Sequence, residues 1–306
     1  MDHLDGLRLF VRVVERKSFS AAAADLGIPR STATDAIRAL EERLHARLLD
    51  RTTRHVSATH DGQEFYARCL SILADIEDAE AVLRDAEPNG LLRVDAPSLL
   101  TRTFLLPELP AFLERYPRIS IQFGQSDRLV DLVREGIDCA IRVGDLVDSG
   151  LVQRRLGSLQ EVTVASPAYL KRHGKPRSIE DLQGHYMVGF VSSRTGEIIP
   201  LEFTTQNGVQ TVLLPSRVSA NQSDTTADLA RLGFGLVQAP RWRFAAELKA
   251  GTLVEILPDN PPTPTALSAL IAQNRQLSPR LRVFLDWATG IFAAAAPITN
   301  PARKRR

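Results

Sequence analysis

Residues 21–37 read AAAADLGIPRSTATDAI. The alanine run suits a helix lying close to a neighbour. Gly27 suits its end, because glycine adopts the left-handed backbone without steric cost. Pro29 lacks the amide that a continuing helix needs, and it fits the first turn of a new one. Apolar residues then return at helical spacing, with Ile37, Leu40 and Leu44 as the expected buried stripe. The segment predicts two helices joined by a very short turn. The first runs over 21–26, capped by Ser18 or Ser20, and the second is capped by Ser31 or Thr32. Leu4, Leu7, Phe10, Val11 and Val14 predict an amphipathic helix in front of the pair.

The small polar residues at the head of the second helix have two readings. In a helix-turn-helix that end enters the major groove, where Ser31, Thr32 and Thr34 reach phosphates or base edges and Arg38 reaches phosphate or guanine. In an ordinary helical hairpin the same hydroxyls only cap. Between Arg43 and Arg54 four arginines stand against one acid, Asp50, although the 306-residue chain has a net charge of only +2. Residues 48–57 predict a short β ribbon with a basic tip, suited to lie against a DNA backbone.

The run FSAAAADLGIPRSTATDAIRALEERLHARLLDRTTR resembles, without a gap, the winged helix-turn-helix of LysR-type transcriptional regulators. Phe19, the alanines, Leu26, Thr34, Ile37, Leu40-Glu41-Glu42-Arg43-Leu44 and Leu48 to Arg51 carry the match. The resemblance places the family's second-helix cap at Ser20. The expected DNA-contact set is Ser20, Arg30, Ser31, Thr32, Thr34, Asp35 and Arg38, with Arg51, Thr52, Thr53 and Arg54 in the wing. Two residues depart from the family pattern. Asp35 stands where a basic or neutral polar residue is common; it repels phosphate but can accept from cytosine N4. His45 stands where many members have glycine.

Phe65, Cys69, Ile72, Ile76, Ala79 and Leu83 follow at heptad spacing. One helix cannot bury such a seam alone, so it predicts dimerisation through a linker helix over 61–88; packing on the chain's own domain is the alternative. Cys69 reads as a small apolar filler. Glu87-Pro88-Asn89-Gly90 breaks the helix. Beyond it, strands at 91–96, 119–123 and 137–143 alternate with helices at 105–115 and 129–135, which argues for an α/β fold with much parallel sheet. Further strands are expected over 156–165 and 265–273, helices over 167–173, 223–232, 241–249 and 279–292, and a buried run over 234–238.

This region resembles the LysR-type effector-binding domain at Ala96-Pro97-Ser98, Leu106-Pro107, Tyr116-Pro117, 136–144 and 165–170. The resemblance implies a type 2 periplasmic-binding-like fold, two α/β subdomains with a cleft between them. Subdomain I is expected over 89–162 and 267–300, and subdomain II over 163–266. With a winged helix-turn-helix over 1–60 and a basic tail over 301–306, the expected architecture is multi-domain α and α/β.

Ligands of α/β sheets bind beyond the carboxyl ends of strands, near helix N-termini. That rule points to Ser98, Leu99, Leu100 and Thr101 after the first strand, Ser126 after the second, and Arg142, Val143 and Gly144 at the third. Asn221 and Ser223 mark a strand-to-helix junction in subdomain II, and Arg194 lies on a polar loop. Hydroxyls, helix amides and arginine suit a small carboxylate, whereas Leu99 and Leu100 suit an aromatic effector. The serines also read as helix caps, and Arg142 as half of a structural ion pair.

The function implied is a transcriptional regulator that binds double-stranded operator DNA and answers to a small-molecule effector. Its partners are other copies of itself, as a homodimer and by resemblance a homotetramer, and RNA polymerase. No GxSxG, Walker loop or dinucleotide fingerprint occurs, so no catalytic residues and no cofactor are expected. Cys69 and Cys139 have no metal-ligand spacing. Asp2, Asp5, Arg8, Arg12 and Glu15 leave no signal-peptide core, so a cytoplasmic protein is expected. An enzyme or a solute-binding protein on the same fold is the alternative.

Overall fold

The computed structural model describes residues 2–51, 56–83, 87–144, 151–272 and 277–299. Helix α1 (His3–Arg16) opens with a capping box between Asp2 and Asp5. Helix α2 (Phe19–Asp25) is capped by Ser18, whose Oγ accepts from the Ala21 N–H at 3.3 Å. Ser20 is therefore not the cap; it sits exposed inside the first turn. Helix α3 (Arg30–Leu44) has Pro29 at its N-cap and no side-chain cap. Ser31 and Thr32 lie within the first turn and cap nothing, because the fixed φ of proline already sets the entry angle.

Ala33, Ile37 and Leu40 form the buried stripe of α3, while Leu44 is 38% exposed because the helix outruns the core there. His45 ends the helix in the left-handed region, at φ 49 and ψ 35. That is the conformation glycine adopts freely and histidine only occasionally. The family turn is thus kept despite the missing glycine. A two-stranded antiparallel ribbon follows, β1 (Leu49–Arg51) and β2 (Val56–Ala58). The Glu41 carboxylate accepts from the Leu48 and Leu49 amides at 2.9 and 3.0 Å, fastening the ribbon to α3.

Helix α4 (His60–Leu83) corrects the seam reading. Cys69 is fully buried in the core of α1–α3, and the Phe65 ring lies 5.3 Å from that of Phe10. Both residues pack on the chain's own N-terminal unit, Cys69 wholly and Phe65 in part. Ile72 remains 44% exposed and Ile76 is half-buried. The side chains of Ala79 and Leu83 lie outside the described residues.

The rest of the chain forms two lobes. The larger begins with β3 (Gly90–Asp95), α5 (Ser98–Leu100), a π-turn (Thr101–Leu105), α6 (Leu106–Arg115), β4 (Ile119–Gly124), β5 (Cys139–Val143) and β6 (Leu151–Leu159). The smaller holds β7 (Glu161–Ala165), α7 (Pro167–His173), β8 (Gly189–Phe190), β9 (Leu201–Thr205), β10 (Gly208–Val212), β11 (Ser219–Ala220), α8 (Ser223–Arg231), β12 (Val237–Pro240), α9 (Ala245–Ala250) and β13 (Val254–Glu255). The chain then returns to the larger lobe as β14 (Thr265–Ala272) and α10 (Pro279–Thr299).

The five-stranded sheet has the order β4-β3-β5-β14-β6. β3 runs parallel to β4 and β5, and β14 runs antiparallel to β5 and β6. Phe112, Phe284, Leu285 and Phe292 fill its core. The smaller lobe is built on the sheet β12-β7-β13.

Two expectations fail here. Residues 129–135 form turns, not a helix: the Asp131 carboxylate accepts from the Val133 and Arg134 amides at 3.1 and 2.9 Å, which competes with helical bonding. Phe234, placed in a buried run, is 42% exposed, because Gly233 at φ 82 turns the chain before Leu236 and Val237 enter the core. Among the described residues no helix is long and apolar enough to cross a membrane.

Candidate DNA-binding and effector sites

On α3, Arg30, Ser31, Thr32, Asp35 and Arg38 are all exposed; Ser31, Thr32, Asp35 and Arg38 lie on the side away from Ala33, Ile37 and Leu40, and Arg30 extends that row beyond the core at the first helical position. A continuous polar face is therefore available at the helix N-terminus, where unpaired amides attract phosphate. Thr34 is half-buried, and its hydroxyl donates to the Arg30 carbonyl at 3.0 Å, so it is turned into the helix. Arg38 pairs with Glu42 at 2.9 Å, one turn on. Arg51 lies in β1, but its side chain, like Thr52, Thr53 and Arg54, falls outside the described residues.

A cavity of about 910 Å³ opens between the two lobes. Of the residues expected there, Leu100, Arg142, Val143, Gly144, Arg194 and Ser223 line it. Ser98, Leu99, Thr101, Ser126 and Asn221 do not. Thr101 is fully buried, and its hydroxyl donates to the Pro97 carbonyl at 3.1 Å. The Ser126 hydroxyl donates to Asp95 at 2.9 Å.

Arg142 reaches the cavity wall with its guanidinium already bonded within the protein. It is 4% exposed. Its guanidinium donates to the Asp95 carboxylate at 2.5 Å, to the Arg128 carbonyl at 2.7 and 3.0 Å and to the Ile141 carbonyl at 2.8 Å. The side chain thus cross-links β3, β5 and the 126–128 segment.

Several wall residues were not singled out from the sequence: Asp127, Glu161, Glu202, Gln238, Trp242 and Arg243. Glu161 touches the cavity, yet protein packs around it closely enough that desolvation pushes its carboxyl up to about 8, against a hydrogen bond from Thr265. That shift favours the protonated form of the carboxyl. An acid at the head of the apolar strand EVTVA was the available signal. The Arg243 side chain is only 5% exposed and pairs with Asp224. Burial draws its pKa down, and Asp224 opposes this. Ser223 donates both its amide and its hydroxyl to Asp127, each at 2.7 Å.

Both cysteines are buried, and desolvation pushes their thiols up to about 12. Among the described residues no His, Cys, Asp or Glu group could hold a metal ion.

Two family models match the chain. Residues 4–63 match the bacterial regulatory helix-turn-helix protein of the lysR family, and residues 85–293 match the LysR substrate binding domain. The HTH-type transcriptional regulator YhjC of Escherichia coli (strain K12) is 36% identical over 294 residues, 95% of this chain and 98% of the relative. The HTH-type transcriptional repressor PA14_22550 of Pseudomonas aeruginosa is 35% identical, over 96% of this chain and 93% of the relative. The structure of CrgA, a LysR-type transcriptional regulator from Neisseria meningitidis, is 31% identical. It covers 94% of this chain and 97% of its own, with a TM-score of 0.58. The full-length Vibrio cholerae virulence activator AphB is 30% identical, over 95% and 100%, with a TM-score of 0.56.

Proposed function

The chain belongs to the LysR family of transcriptional regulators, and from that premise we propose that a small carboxylate or aromatic compound, held between the lobes, controls how it binds its operator. It is a DNA-binding regulator with an effector-binding domain, not an enzyme. The observation that carries the effector reading is the cavity of about 910 Å³. Leu100, Val143, Phe190, Val237 and Trp242 give it an apolar wall, and Gln238 and the opening turn of α8 supply polar groups. Such a combination suits a small molecule with an apolar body and a polar end.

Residues 1–60 bind DNA, with Arg30, Ser31, Thr32, Asp35 and Arg38 toward the major groove and the wing, at Arg51 to Arg54, along the backbone. The helix over 61–88 joins two chains, with Ile72 and Ile76 available for the contact, and the lobes over 89–300 assemble dimers into tetramers. The protein works in the cytoplasm, alongside RNA polymerase. An effector that prefers one angle between the lobes shifts the population of assemblies and hence the spacing or bend of bound DNA.

The test is fluorescence anisotropy on DNA from upstream of the protein's own coding region, against scrambled DNA, across a salt series. Sequence-selective binding that weakens with salt is expected; equal weak binding to both DNAs refutes this operator assignment. Adding benzoate or an aliphatic carboxylate with an apolar body, such as hexanoate, is expected to change the selective binding and leave the nonselective binding unaltered.

A further inference from the structure

Asp127 follows β4 in the larger lobe, and Ser223 opens α8 in the smaller. One carboxylate oxygen of Asp127, Oδ2, accepts both the amide and the hydroxyl of Ser223, each at 2.7 Å. That is the length of a charge-assisted bond. The carboxylate stands at the N-terminus of a nine-residue helix, where unpaired amides and the helix dipole favour an anion. Next along the same segment, the Leu129 amide donates to Ser193 Oγ across the cleft at 3.4 Å.

The two buried cations of the wall are already matched. Arg142 is held by Asp95 at 2.5 Å. Arg243 is held by Asp224, which also lies 3.9 Å from Arg102. Among the described residues that line the cavity, Arg194 is the cation with no acid beside it, and it sits on an exposed loop. An anion entering the cleft therefore finds its best seat taken by the chain's own side chain.

We propose that Asp127 is an internal ligand of the cleft: its carboxylate fills the anion seat at Ser223 and ties the lobes together, and an anionic effector signals by displacing it. The proposal rests on the reading that the cleft binds an effector. A tethered carboxylate competes at an effective concentration on the order of millimolar or above. A bare carboxylate such as acetate therefore binds the wild type poorly. An effector must add apolar contact, with Val130, Phe190 and Val237 within reach of the same cavity. Its arrival frees Asp127 and, with it, the neighbouring Leu129–Ser193 bridge.

The test uses the full chain and two variants, Asp127→Ala and Asp127→Asn, each checked for folding by circular dichroism. Amide hydrogen exchange is followed in peptides spanning 219–227. Exchange at the start of α8 is expected to quicken about tenfold or more in Asp127→Ala, and by less in Asp127→Asn, which keeps an acceptor without the charge. Acetate at about 100 mM is expected to restore protection in Asp127→Ala, with no gain from chloride at equal ionic strength and none in the wild type. Exchange unchanged in both variants, or acetate acting no better than chloride, overturns the proposal. If Asp127→Ala does not fold, unchanged exchange in Asp127→Asn overturns it alone. Rescue by acetate supports the internal ligand even if no benzoate binds the wild type; in that outcome it is the effector-class reading that falls. A carboxylate that binds the wild type and leaves the exchange of 219–227 unaltered overturns the displacement while the effector-class reading stands.

Discussion

All three guanidinium nitrogens of Arg142 are bonded inside the protein, so replacing it removes a cross-link and strands a charge. Arg142→Met leaves Asp95, 5% exposed, without its cation. Breaking one side of a buried pair costs about 3–5 kcal/mol. Urea denaturation of the full chain is expected to show a loss of that size, with little change in the denaturant slope. Glu161 gives a prediction of a different kind. Its carboxyl is raised to about 8 in the fold, against about 4.3 in an unfolded chain. Between those values the unfolded state releases the proton and the folded state keeps it. Stability from this group is therefore full at low pH, falls as pH rises from about 4.3 to about 8, and then levels. Glu161→Gln is expected to remove that decline, read as melting temperature from pH 5 to 9. Both residues show what residue type conceals: at 142 the sequence left both a ligand contact and a structural ion pair open, and the spatial convergence of Asp95, Ser126 and the Arg128 carbonyl supplies the pair.

Elements that depend on local signals were legible. The short turn at Gly27 and Pro29, the apolar period of α1 and the breaker at 87–90 rest on backbone rules that act within a few residues. Elements decided by distant partners were not. Heptad spacing located a face of α4 but could not say that its first turns pack on Phe10 of the chain's own core. The 129–135 segment has helical composition, yet Asp131 diverts its amides. Helix α4 also approaches the ribbon closely at Gly62, where an added Cβ would run into the Leu48 carbonyl oxygen. Gly62→Ala is expected to push α4 off the ribbon and cost about 1–3 kcal/mol, measured by thermal melting, with weakened DNA binding in the anisotropy assay. Ile72, 44% exposed on the next turns, tests the remaining seam. Ile72→Asp is expected to weaken self-association in sedimentation velocity without lowering the melting temperature of the N-terminal unit.

At the scale of the whole molecule, the candidate cleft was half legible. Strand ends of the larger lobe come in chain order, so Leu100 and 142–144 were within reach of a simple rule. Trp242 and Arg243 reach the same cavity from a different part of the chain, after β12 pairs with β7, and nothing local announces that. The position of Trp242 has an optical consequence. Its ring lines the cavity and stands edge-on to Phe104 of the larger lobe, 4.8 Å away. The chain's other tryptophan, Trp287, lies outside this cavity, half-buried against Phe112 and Phe284. One indole is thus placed to sense the cleft while the other acts as a nearly constant background. Intrinsic emission, excited at the tryptophan edge, is expected to shift or quench when a compound enters, and Trp242→Phe to abolish the response. The unmodified protein then reports on candidate effectors by its own light, without a label and without knowledge of its operator.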